Sequence, residues 1–234
     1  MFNNIIELYR GIFYNITSIY NLHLLNKKSW STYLYILLIN ISLLYIPNYL
    51  YNINSLFFIW IIPAFIFCYI FSLDKFNDLL IFLKDPEQYI NIDLNQTVYF
   101  FLISFIYYFI VTCVSYIPYV GKIVGPILLA HSYGYYCLEY SSYYNNLSPL
   151  NKLTIIENNT FFFIGYGTFY TLLSLYLSTI NLFIFFIVVF PLDIIQMTHL
   201  KWIHKVRPLN NVSKFFLIPS YILDLILTYI INRL

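Results

Sequence analysis

The sequence predicts an all-α integral membrane protein: three helical hairpins (about six membrane segments, some re-entrant), an N-terminal amphipathic interfacial helix, and a C-terminal interfacial or membrane helix. Three observations carry this. Of 234 residues, 61% are hydrophobic and 9% charged, with a mean hydropathy of +0.73, whereas soluble domains carry about 25% charged residues. The charge-free runs are long enough to cross a hydrocarbon core of about 30 Å, which takes about 20 helical residues. The basic residues cluster between those runs, on one side of the layer they would form. Together these exclude a soluble enzyme, and a formal net charge of +2 excludes a nucleic-acid-binding surface.

The chain reads as a single membrane domain over 1–234. In its amphipathic N-terminal segment, 1–28, Ile5, Tyr9, Ile12, Phe13, Ile16 and Tyr20 recur at helical spacing, with Asn4, Glu7, Asn15 and Ser18 elsewhere on the wheel. That pattern suits a helix lying in the interface. No charged start, apolar run and small-residue cleavage site follow one another there, so a signal peptide is not expected.

The first hairpin occupies 29–73, which holds no Asp, Glu, Lys, Arg or His before Asp74. Its spans fall at about 32–50 and 55–72, turning at the asparagines Asn48, Asn52 and Asn54. The second, 94–140, turns near Pro118 to Lys122, and its second half carries Gly125, Pro126, His131 and Gly134; that half is either a full crossing or a re-entrant helix buried in protein. The third, 161–198, turns at Ser178 to Asn181. Pro63 and Pro191 mark kinks. The C-terminal apolar segment, 215–231, carries a thin polar stripe of Ser220, Asp224 and Thr228 and either lies on the surface or crosses.

Arg10, Lys27, Lys28, Lys75, Lys84, Lys152, Lys201, Lys205, Arg207 and Lys214 all fall on one side of this arrangement. The positive-inside bias makes that side cytosolic, together with the N-terminus and segment 199–214. Within that segment, Lys201, Trp202, Lys205 and Arg207 suit an anchor to anionic lipid head groups. The bilayer is the one partner the composition implies. Cytosolic loops 73–95 and 141–160 are where unidentified protein partners would dock, and homo-oligomer formation is left open.

No catalytic constellation is visible, and the chain reads as a non-enzyme without cofactor or metal. Cys68, Cys113 and Cys137 are scattered and read as small buried hydrophobes. His199 and His204 lack the companions of a metal site. Ionisable groups inside apolar runs are more informative. His131 and Glu139, eight residues apart, lie on roughly one helix face and could line a polar track; Asp193 reads as pairing with a tyrosine or a loop lysine. Gly121 and Gly125 read as packing within the second hairpin.

The runs GPILLAHSYGYYCLEYSSYYNN, LTIIENNTFFFIGYGTFYTLL and IVVFPLDIIQMTH resemble the etoposide-induced protein 2.4 family of eukaryotic endoplasmic reticulum membrane proteins. The matching positions are Leu138-Glu139-Tyr140, Ile156-Glu157, Gly165-Tyr166-Gly167 and Phe190-Pro191, with an N-terminal LYRG. Leu138 stands where the family has Phe, and Ser141-Ser142 replaces a basic-aromatic pair. The resemblance implies residence in the endoplasmic reticulum and a part in autophagy, membrane trafficking or stress-linked cell death, without a reaction. Glu139, Tyr140, Glu157, Gly165, Gly167, Phe190 and Pro191 are therefore family-pattern positions only. CysZ-type sulfate permeases look like more distant relatives, in which case Lys27 and Lys28, before a helix N-terminus near Ser29, are the anion-binding candidates.

The orientation is testable. Asn95, Asn146, Asn158 and Asn211 each open an N-x-S/T sequon on the predicted cytosolic side, which oligosaccharyl transfer does not reach. Expression in a glycosylating host should give a single endoglycosidase-insensitive band; a shift on digestion would invert the topology.

Overall fold

The computed structural model describes residues 2–25, 27–51, 94–144 and 149–200, all helix and short turns with no strand among them. Helix α1 (Phe2–Thr17) runs into a 3-10 segment (Ser18–Leu24), followed by α2 (Lys27–Tyr51). Next come α3 (Leu94–Ser115), α4 (Val120–Tyr144), the short α5 (Pro149–Asn158), α6 (Thr160–Tyr176) and α7 (Thr179–His199).

Helix α6 is the centre of the bundle, with α1 packed along one side and α4 along the other. Successive helical residues are turned by about 100°, so Gly165 and Gly167, two apart, lie on nearly opposite faces. A Cβ on Gly165 would fall on the Leu8 carbonyl oxygen of α1, and one on Gly11 would fall on the Phe162 carbonyl and lie 2.6 Å from the Tyr166 amide nitrogen. On the other face a Cβ on Gly167 would strike the Ala130 carbonyl of α4, and one on Gly134 the Phe163 carbonyl. The neighbours in all four contacts are backbone atoms, which cannot swing aside. Around the crossings Phe162, Phe163, Tyr166 and Tyr135 are buried, with Ile103 of α3 and Ile194 and Ile195 of α7 closing the core.

Helices α3 and α4 form a hairpin that turns at residues 116–119, close to the expected place. Pro118 has no N–H to continue α3, and Tyr119 takes a left-handed backbone, φ 64°, a conformation that costs a non-glycine residue of the order of 1–2 kcal/mol. Gly121 donates to Ile117 at 2.8 Å. Gly121 and Gly125 both press against Ser115, the close packing within the hairpin that their spacing predicted. Helix α4 continues unbroken through Gly125, Pro126 and Gly134. The α6–α7 turn at Leu177–Ser178 also falls near its expected position, and Ser178 caps α7 by accepting from the Asn181 amide at 3.4 Å.

Several expectations are corrected. Residues 149–158, assigned to a cytosolic loop, form α5, with Leu153, Ile155, Ile156, Lys152 and Glu157 buried. Glu157 stands near the end of α5, just before α6. Helix α4 passes Glu139 and ends at Tyr144. Cys113 is exposed, while Cys137 is buried. Helix α1 does not simply lie against a surface: it docks on α6 through Gly11. Among the described residues no helix is long and apolar enough to cross a membrane; α4 is long, but Lys122, Pro126, His131 and its tyrosines dilute it. The segments 55–72, 201–214 and 215–231 lie outside the described residues.

Gly167→Val should force α4 and α6 apart. Thermal unfolding of the purified chain is expected to show a loss of at least about 1–3 kcal/mol, the usual cost of overpacking, while Phe109→Ala on an exposed face should stay near wild type. Equal stability of the two variants would show that the crossing is not the limiting contact.

Candidate functional site at the Asp193 junction

Asn15, Ser18 and Asn21 are spaced by three. The chain changes from α-helix to 3-10 helix at Ser18, where three residues complete a turn, so this spacing brings the three polar side chains to one inward face. All three are buried, and they meet α7 at Asp193 and Gln196.

Asp193 is fully buried. Its Oδ1 accepts from Asn15 Nδ2 at 3.2 Å and from the Tyr166 hydroxyl at 3.1 Å. Its Oδ2 accepts from the Tyr170 hydroxyl, and the Ser18 hydroxyl adjoins the carboxyl. One turn along, Asn21 Nδ2 donates to Gln196 Oε1 at 2.8 Å and to the Leu192 carbonyl at 3.2 Å. One carboxylate thus ties together α1, α6 and α7. The tyrosines confirm the expected pairing of Asp193 with a tyrosine.

Side chains from elsewhere in the chain also reach backbone carbonyls of α7 around Pro191: the Tyr33 hydroxyl donates to Val188 at 2.8 Å, Asn21 to Leu192 and the Tyr166 hydroxyl to Asp193 at 3.2 Å. Phe190, also buried, stacks on Phe186 with ring centroids 4.6 Å apart. The Phe-Pro pair thus lies buried within a continuous α7, in the stretch held by side chains from outside.

A second buried polar group lies between α3, α4 and α5. The Tyr107 hydroxyl is 3.0 Å from His131 Nδ1, and the Phe163 ring stands edge-on to the imidazole. Glu157 lies within electrostatic reach of Tyr107, and Lys152 is buried on the same short helix as Glu157. The sequence placed Lys152 in a cytosolic loop and offered no sign of this cluster beyond the i, i+3 spacing of Leu153, Ile156 and the residues beside them.

The remaining candidates scatter. Glu139 and Tyr140 lie on α4, but their side chains fall outside the described residues, so the proposed track from His131 is neither traced nor interrupted. Lys27 opens α2 and is exposed; the Lys28 side chain is likewise outside the description. Gly165 and Gly167 serve packing. No group of three or more His, Cys, Asp or Glu side chains gathers among the described residues. Asn15 and Asn21 were missed as site residues; their spacing of three with Ser18 was the available signal.

These features define a helical bundle organised on a Gly-aromatic-Gly helix and a proline-containing partner. Residues 8–188 match the family described as Sulfate transporter CysZ/Etoposide-induced protein 2.4, and the chain belongs to that family. It is 32% identical over 107 residues to the protein named Protein EI24 homolog of Arabidopsis thaliana, a stretch covering 46% of this chain and 33% of that relative. The match thus spans only about a third of the relative's length. No solved structure matches the chain.

Tyr166→Phe removes a donor from both the Asp193 side chain and its carbonyl. Chemical denaturation should record a loss of about 1–3 kcal/mol, the cost of leaving a buried acceptor short of a partner. Tyr35→Phe, on the exposed side of α2, should change little. An unaltered Tyr166→Phe midpoint would remove the carboxylate from the contacts that hold α6 to α7.

Proposed function

We propose that this chain is a multi-pass membrane protein of the endoplasmic reticulum acting in autophagy, membrane trafficking or stress-linked cell death, as a scaffold and not an enzyme. One observation carries the membrane part of the reading: large apolar side chains stay exposed on several helices, while ionisable and polar groups are buried within the apolar core. On α1, Tyr9 and Phe13 are 66% and 63% exposed, whereas Asn15 and the adjoining Ser18 are 2% and 0% exposed. The same arrangement recurs in Phe105, Tyr108 and Phe109 of α3 and in Leu172, Leu175 and Tyr176 of α6. Each set is exposed at i, i+3, i+4 spacing, while His131, Lys152, Glu157 and Asp193 are buried. Water does not favour such surfaces, and large contiguous apolar exposure marks a membrane or protein contact; the charge-poor composition favours lipid.

The trafficking part rests on family membership and on the resemblance of the Glu-Tyr, Gly-Tyr-Gly and Phe-Pro elements. Segment 73–95, the other cytosolic segment expected from the sequence, is the one we propose recruits partners, since 149–158 is folded into the bundle. The family description also names a sulfate transporter, and the exposed Lys27 at the start of α2 favours that as the second reading. Against it, a lysine pair lacks the bidentate fork that arginine offers an oxyanion.

Two measurements on the same variants separate these readings. In cells lacking their own copy, autophagic flux should be restored by wild type and by Lys27→Ala/Lys28→Ala, but not by a chain with 73–95 replaced by a neutral linker. Proteoliposomes should take up no more labelled sulfate than empty vesicles. Sulfate uptake that the double lysine variant abolishes would make the chain an anion permease and overturn the scaffold reading.

A further inference from the structure

We propose that the outward face of α1 is a contact for the acyl chains of zwitterionic phospholipid, whose head groups meet the Arg10 flank of the helix; this deepens the membrane reading above and rests on it. At about 100° per residue, the side chains of α1 fall into three sectors. Gly11 and Asn15 share the inner one, where Gly11 presses on the backbone of α6 and Asn15 bonds to Asp193. Opposite them, Ile5, Ile6, Tyr9, Phe13 and Ile16 occupy an arc of about 100°, and all five are between 40% and 66% exposed. Ile19 and Tyr20, also exposed, extend this stripe past the end of the helix. Asn3, Glu7 and Arg10 form the third sector, between the inner face and one edge of the stripe.

This division suits a helix placed where bundle, acyl chains and head groups meet: the apolar face enters the hydrocarbon boundary, and the polar flank stays at the head groups, with the Arg10 stem lying along the apolar edge. A protein partner fits the stripe less well. Apart from the hydroxyls of Tyr9 and Tyr20 its side chains are all hydrocarbon, so it has few groups to make the hydrogen bonds that fix the register of a protein interface, whereas fluid acyl chains need none. Charge then selects the lipid class. Glu7 and Arg10 are the charged side chains of α1, and Arg10 Nη1 donates to Glu7 Oε1 at 2.8 Å. The helix is neutral and its cation is already paired, so it lacks the cationic surplus by which interfacial helices gather anionic lipid. Burial of apolar surface is the attraction that remains, and it does not discriminate between head-group charges.

The test is photolabelling of the full-length chain in vesicles of equal phosphatidylcholine and phosphatidylserine, with an acyl-chain diazirine carried by one lipid or by the other, and adducts mapped by mass spectrometry. Tyr9, Phe13 and Ile16 should be labelled alongside Phe105 and Phe109 of α3, and equally by the two lipids. Glu7→Gln, which leaves Arg10 unpaired on an exposed flank, should favour the phosphatidylserine label on α1 by about fivefold, the usual effect of one basic side chain at an anionic surface. Labelling of α3 without α1 would overturn the proposal and show the stripe covered by protein, while the membrane reading would stand. Labelling of neither would overturn both. A phosphatidylserine excess on the unmodified α1 would overturn the zwitterionic assignment, and no excess in Glu7→Gln would overturn the placing of Arg10 at the head groups.

Discussion

The bundle depends on how closely two helices can approach α6 from opposite sides. Three consecutive residues divide the work. Gly165 admits α1, Gly167 admits α4, and Tyr166 between them reaches α7 through Asp193. At about 100° per residue, these three positions point to three different neighbours, so the Gly-Tyr-Gly sequence acts as a three-way joint. The requirement is steric and mutual: Gly11 and Gly134 are needed on the partner helices because carbonyl oxygens of α6 press on them. Once the backbones are that close, the positions of Asn15 on α1 and Asp193 on α7 are fixed relative to Tyr166.

The Asp193 junction then does what glycines cannot. Small-residue contacts let helices approach, but they have no polarity and resist sliding only weakly. A buried carboxylate meeting donors from three elements sets register, because each donor is lost if its helix slips by one residue. Pro191 lies in the stretch of α7 whose carbonyls Tyr33, Asn21 and Tyr166 address from three other parts of the chain, as second donors beside the helix ladder.

The helical class, the α3–α4 and α6–α7 hairpins and their turns were legible because each depends on local chemistry: apolar runs bounded by Pro118 with Lys122, or by Ser178 with Asn181. The closeness of Gly121 and Gly125 to Ser115 was legible for the same reason. Helix α5 was not. With Lys152, Glu157 and two asparagines its sequence reads as a polar loop, and only the tertiary contacts that bury Leu153 and Ile156 make it a packed element. The site was half legible. Asp193 stood out as an acid in an apolar run and a tyrosine partner was foreseeable, but Asn15 lies 178 residues away. On an α-helical wheel, the spacing of Asn15, Ser18 and Asn21 does not close; it closes only once the chain tightens into a 3-10 helix.

The outward apolar stripes bear on what can hold such a bundle together. Tyr9, Phe13, Phe105 and Leu175 stay exposed, so their burial contributes nothing to holding these helices together. In the lipid surround proposed above little is lost by that, since a side chain gains little by leaving hydrocarbon for a hydrocarbon-like core. Association must then come from what lipid cannot supply: dense backbone contact and hydrogen bonds between polar groups. Those are the two kinds of contact concentrated at α6, in the glycine crossings and in the Asp193 junction one turn beyond. The exposed apolar faces and the polar contacts buried within the core are thus compatible in one bundle, because close backbone approach and hydrogen bonds hold the helices where side-chain burial does not.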